Sequence, residues 1–70
     1  MEFIKVNGVE NQFGQGELPS TLADLLDYLD VNAATVVAEV NGEIIRREDF
    51  GRTKLSTGQA IELVRLMGGG

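Results

Sequence analysis

The segment Thr35-Val36-Val37-Ala38-Glu39-Val40-Asn41-Gly42-Glu43-Ile44-Ile45 decides the fold. Its first half, Thr35 to Val40, is a β-rich run whose bulky members are Val36, Val37 and Val40. Branched side chains of this kind fit a pleated, half-buried surface. Asn41-Gly42 then supplies two residues that tolerate positive φ, which is what a type I′ hairpin turn needs. Glu43 to Arg47 reads as the returning strand and carries Ile44 and Ile45.

Toward the N-terminus the same signal recurs. Glu2 to Val6 alternates in part, Asn7-Gly8 turns, and Val9 to Phe13 returns. Gly14 and Gly16 mark a loop. No Lys-Ser or Lys-Thr follows them, so Gly14-Gln15-Gly16 reads as a turn and not as a phosphate cradle. Pro19-Ser20-Thr21 opens a helix, with Ser20 assigned to helix-start chemistry. Thr21 followed three residues later by Asp24 resembles a capping box with a shortened acid. Leu22, Leu25, Leu26 and Leu29 recur at helical spacing and form one apolar stripe. Asp24, Asp27 and Asp30 fall largely outside that stripe and read as a solvated face. The sequence has no His and no Cys to complete a ligand set around them.

Toward the C-terminus Arg46-Arg47 meets Glu48-Asp49, so the local charge cancels. Asp49 to Leu55 reads as an irregular stretch or a single helical turn, anchored by Phe50 and Leu55. Thr57-Gly58 turns into a last strand, Ala60 to Leu66. Period-two alternation puts Ile61 and Leu63 on one face of it, and Glu62, Val64 and Leu66 on the other. The order is hairpin, helix, hairpin, irregular segment, strand. That order predicts an α+β domain with the leucine stripe laid on one face of a mostly antiparallel sheet. The domain is expected over residues 1–67. The glycines of 68–70 are expected to form a flexible tail, because terminal residues are usually poorly ordered.

Composition narrows the function. The chain has 70 residues, 43% of them hydrophobic, so one small domain must rest on apolar burial. Without Cys it has neither disulfides nor a thiolate nucleophile. Without His it lacks the commonest general base. The adjacent acids Glu48 and Asp49 lie beside Arg46, Arg47 and Arg52, which would hold them ionised and unfit for acid–base work. A net charge of -5 argues against nucleic acid and against an anionic membrane surface. No basic-then-apolar leader and no run of membrane-spanning length appear, which reads as a cytoplasmic protein. These features describe a protein that is not an enzyme. The best candidate for reactive chemistry is a main-chain group, the carboxylate of Gly70. Gly68 and Gly69 lead to it without a Cβ, a shape that can thread a narrow slot.

Val40-Asn41-Gly42-Glu43-Ile44-Ile45, then Arg47, Phe50 and Leu55, then Gly58-Gln59-Ala60-Ile61-Glu62-Leu63-Val64 and the terminal glycines together resemble the ThiS family. These are the ubiquitin-like sulfur carriers of thiamine biosynthesis. The resemblance runs from Val6-Asn7-Gly8 to the last residue and is most specific from Val40 onward. It implies a β-grasp fold: a mixed four- to five-stranded sheet with one main helix across it, and the first and last strands paired in parallel at its centre. It implies that a ThiF-like adenylyltransferase uses ATP to convert the Gly70 carboxylate to an acyl adenylate. A persulfide sulfur, drawn from cysteine through a desulfurase, then displaces AMP. The resulting thiocarboxylate passes its sulfur to thiazole synthase, ThiG. The carrier itself would bind no cofactor or metal. By the same resemblance the exposed face of the last strand docks the partners, through Val64 and Leu66 with Met67.

Three other readings fit parts of the sequence. The small subunit of molybdopterin synthase, MoaD, shares the fold, but such chains are typically longer and often carry aromatics and Pro before Gly-Gly. A ubiquitin-like protein modifier also begins from an acyl adenylate. A β-grasp interaction module with an inert tail belongs to a different class, since fold does not fix function.

Overall fold

Both Asn-Gly pairs turn the chain as the sequence predicts. Asn7 and Asn41 take φ of 50° and 51°, and Gly8 and Gly42 take 83° and 85°. The structure, a computed structural model, describes residues 1–66. The expected boundary after residue 67, Met67 itself and the expected glycine tail Gly68, Gly69 and Gly70 lie outside the described residues. Strands β1 (Glu2–Val6) and β2 (Val9–Phe13) form the first hairpin. Strands β3 (Val36–Val40) and β4 (Glu43–Ile45) form the second. The final strand β5 (Ala60–Arg65) lies between them, giving the sheet order β2-β1-β5-β3-β4. It runs parallel to β1 and antiparallel to β3. The sheet is therefore mixed, and its parallel first-and-last pair is the β-grasp arrangement.

Helix α1 (Leu22–Tyr28) crosses one face of the sheet. Seven residues are too few for an isolated helix to persist in water, so packing must hold it. Leu22, Leu25 and Leu26 are buried, and Leu29 continues the stripe at the C-cap. They meet Ile4, Phe13, Val36, Ala38, Val40, Phe50 and Ile61 in a single core. Fully burying such a side chain contributes roughly 1.5–3 kcal/mol. Asp24, Asp27 and Asp30 are exposed, as their position off the stripe requires.

Three local readings are refined. Thr21 caps α1, as its spacing to Asp24 predicts: its hydroxyl accepts the Asp24 N–H at 3.2 Å. Ser20 instead accepts the Leu55 N–H on its carbonyl at 2.9 Å, and Leu22 N–H donates to the Thr53 carbonyl at 2.9 Å. These bonds strap the helix start to residues 53–55. Thr35, expected to open a strand, ends a 3-10 helix, Ala33–Thr35. The Asn32 side chain accepts the Ala34 N–H, and the Thr35 hydroxyl donates to the Asn32 carbonyl, so local side-chain bonding outcompetes the extended form. The returning strand expected to reach Arg47 ends at Ile45. The stretch Asp49 to Leu55, expected to be irregular or a single helical turn, is preceded and partly filled by a 3-10 helix over Arg47–Arg52, with Phe50 buried. Arg46 pairs with Glu48 and Arg52 with Asp49 on its surface.

Candidate docking face and strand exit

The candidate site is built on β5, because that strand precedes Met67 and the glycines in sequence. Register settles which side chains share a face, since directly opposed residues point the same way. Ile61 stands opposite Val40 and beside Val6, and Leu63 stands opposite Ala38. These face the helix. Val64 stands opposite Val37, and Glu62 opposite Glu39, on the open face. The helix covers only the other side, so Val64 and Leu66 remain 54% and 53% exposed. The alternation read from the sequence thus places both residues correctly. Met67, Gly68, Gly69 and Gly70 lie outside the described residues.

The open face holds more apolar surface than the sequence reading named. Val37 is packed beside Val64, and Ile44 extends the patch onto β4, opposite Glu39. Ile44 is 66% exposed. The signal was present: Val36 and Val37 are consecutive, as are Ile44 and Ile45, and in a strand one of each pair must point away from the core. Glu39 and Glu62 form a like-charge pair directly across neighbouring strands, an arrangement that costs stability in the isolated domain. Lys5 stands opposite Glu10 on the far side of this face.

Two asparagines fix β5 from its two sides. Asn41 N–H donates to the Ala60 carbonyl at 2.7 Å, and Asn41 Oδ1 accepts the Ala60 N–H at 2.8 Å. At the other end Asn7 N–H donates to the Ile61 carbonyl at 2.9 Å. Its side-chain amide then takes both main-chain groups of Leu63: Nδ2 donates to the carbonyl at 3.1 Å and Oδ1 accepts the N–H at 2.7 Å. The chain reverses at Asn7-Gly8, so backbone cannot continue the parallel ladder, and a side chain replaces it. Beyond Leu63, the Leu66 N–H donates to the Thr35 carbonyl at 2.8 Å.

On the helix side an open recess of about 400 Å³ lies next to this exit, lined by Val6, Leu29, Val31, Val36, Leu63 and Arg65 among others. Its walls are mainly aliphatic. Among the described residues no buried side chain is polar or charged, and no three His, Cys, Asp or Glu are grouped to hold a metal ion. No described helix is long and apolar enough to cross a membrane. What the arrangement offers is an exposed apolar face with two glutamates across it, Glu39 and Glu62, on the strand that precedes the glycines in sequence and its neighbour β3.

The model of the ThiS family matches residues 4–70. Among solved structures, the crystal structure of the thiamine biosynthesis protein (ThiS) from Geobacter metallireducens superposes with a TM-score of 0.82. It is 36% identical, covering 97% of this chain and 99% of that one. The solution structure of a thiamine biosynthesis protein from the same organism gives a TM-score of 0.76 at 37% identity, covering 100% of this chain and 88% of that one. The uncharacterized protein ycf40 of Porphyra purpurea is 31% identical over 67 residues, which is 96% of this chain and 90% of that protein. The ycf40 protein of Trieres chinensis is 37% identical over 49 residues, or 70% of this chain and 67% of that protein.

Proposed function

The chain belongs to the ThiS family, and from that membership we propose that it is a sulfur carrier that delivers sulfur for thiazole formation in thiamine biosynthesis. The observation that carries this reading is a family match that runs through residue 70 and so takes in the glycine run. The working group is the carboxylate of Gly70, with Gly69 and Gly68 as its slender lead. A carboxylate is a poor electrophile. A ThiF-like adenylyltransferase would use ATP to make the acyl adenylate, with pyrophosphate released. The outer sulfur of a cysteine-derived persulfide attacks the acyl carbon and AMP leaves. The product is an acyl disulfide to the donor, and a second thiol cleaves its S–S bond to free the thiocarboxylate. Thiazole synthase, ThiG, would then accept the sulfur. The carrier holds no cofactor and performs no catalysis of its own in this scheme, which belongs in the cytoplasm.

Val64 and Leu66, with Met67, would dock the partner enzymes, joined by Val37 and Ile44. The Glu39–Glu62 pair supports a partner with a cationic group at the matching position, since one such charge would relieve both carboxylates. The test is to incubate the protein with a ThiF-type enzyme, ATP and a sulfur donor, and to read the intact mass. A shift equal to one oxygen replaced by sulfur is expected. An unchanged mass with a demonstrably active enzyme overturns the carrier reading. Deleting Gly70 should abolish the shift while leaving the fold intact.

A further inference from the structure

We infer that Asn7 is a positioning residue for activation: its side-chain amide fixes the last described residues, Leu63 to Leu66, against the sheet. This rests on the carrier reading above and extends it to a residue far from the glycines in sequence. The two neighbours of β5 hold it over different lengths. On the β3 side, main-chain pairing runs in register from Ile61 to Arg65 and on to the Leu66 N–H. On the β1 side, paired residues stop at Val6–Ile61, because the chain turns back at Asn7-Gly8. Among the described residues only the Asn7 amide reaches further, to both main-chain groups of Leu63.

Leu63 precedes Val64 directly, and Val64 and Leu66 form the exposed end of the docking face. Without the amide, the last residues of β5 would be held from one side alone and could swing about the β3 edge. The open face would still exist, but the positions of Val64 and Leu66 relative to the rest of the sheet would vary. In a reaction that depends on delivering one carboxylate to one phosphorus, such a misplacement acts on the reactive geometry more than on binding. Asn41 supplies the matched control. Its amide makes an analogous bond to Ala60, at the end of β5 away from the exit.

The experiment compares Asn7→Gly and Asn41→Gly, each well below its own Tm. Glycine keeps the positive φ that both turns require and removes the amide, and the backbone freedom it adds is matched in the two variants. Adenylation is followed as pyrophosphate exchange with a ThiF-type enzyme, resolving kcat and KM. Fast backbone motion at Val64, Arg65 and Leu66 is followed by ¹⁵N relaxation. Asn7→Gly should lower kcat about tenfold or more with KM little changed, and should raise the mobility of those three residues. Asn41→Gly should do neither. Asn7→Asp keeps an acceptor for the Leu63 N–H and places an anion against its carbonyl, so it should fall with Asn7→Gly. Equal kcat in the two glycine variants, or a loss seen only in KM, overturns the inference. Unchanged mobility at Val64 to Leu66 overturns it too. If the wild-type protein itself shows no exchange, the carrier reading fails, and the relaxation measurement still decides whether Asn7 fixes the exit.

Discussion

The two hairpins use the same three residues, Val6-Asn7-Gly8 and Val40-Asn41-Gly42, in nearly the same conformation, yet they hold the final strand in different ways. The β3–β4 hairpin lies antiparallel to β5, with main-chain register over five residue pairs, Val36–Arg65 to Val40–Ile61. The β1–β2 hairpin lies parallel to it, with register over two pairs, Lys5–Ala60 and Val6–Ile61. Phe3 adds bonds to Thr57 and Gly58 ahead of that stretch, and the Asn7 amide adds two beyond it. Both turns add an asparagine amide, Asn41 at the start of β5 and Asn7 near its end. Only the Asn7 amide stands in for main-chain pairing that its own hairpin does not supply. Identical turn chemistry has been given different tertiary work.

The sharpest way to test this division is at the residue both hairpins share. Ile61 is fully buried, opposite Val40 on one side and beside Val6 on the other. Ile61→Ala should destabilise the domain by about 2–5 kcal/mol, from lost transfer free energy and the cavity left behind. In a small domain that is a large share of the total. Urea unfolding read by circular dichroism gives the size. Amide exchange should show protection falling in both hairpins together. Protection lost in one hairpin alone would mean that β5 does not couple them.

Next in size come the turn glycines. Gly8 and Gly42 have φ of +83° and +85°, and a Cβ built at either meets no atom within 4 Å. The penalty for alanine is then purely one of backbone conformation, and should be about 1–2 kcal/mol at each. Gly8→Ala and Gly42→Ala should give equal shifts in denaturation midpoint. Unequal shifts would show that one turn carries tertiary strain that the other does not.

Much of this was legible in the residues. Both turns, the leucine stripe and the grouping of Val64 with Leu66 on one face follow from spacing and turn preference alone, while the exposure of that face came from the resemblance. The parallel pairing of β1 with β5 does not, because strand direction across a long connection leaves no local mark; it came from resemblance to a family. The asparagine clamps were hidden for a different reason. A type I′ turn is by itself a sufficient local reason for Asn, so its side-chain partners leave no separate mark in the sequence. Val37 and Ile44 were visible as β-formers, but their membership of one face with Val64 needed the register. The site lies where local rules and long-range pairing meet, and only the first of these is written in short stretches of sequence.

The smallest expected effect separates the hairpins by face. Val9 on β2 and Ile44 on β4 are 65% and 66% exposed, so their bulk contributes little to folding. Val9→Ser and Ile44→Ser should each shift stability by less than about 0.5 kcal/mol, as exposed substitutions usually do. Their consequences for docking should differ. Val9 stands opposite Val6 and so points toward the helix side of the sheet, away from Val64. Ile44 shares the open face with Val37, Val64 and Leu66. Truncating one apolar contact at the edge of an interface costs about 1 kcal/mol or less, which is a severalfold rise in Kd. Calorimetric titration with a ThiF-type enzyme should show that rise for Ile44→Ser and none for Val9→Ser. Equal weakening by both would mean that the partner wraps around the sheet and touches the helix side. The acidic open face would then be only one part of a larger footprint.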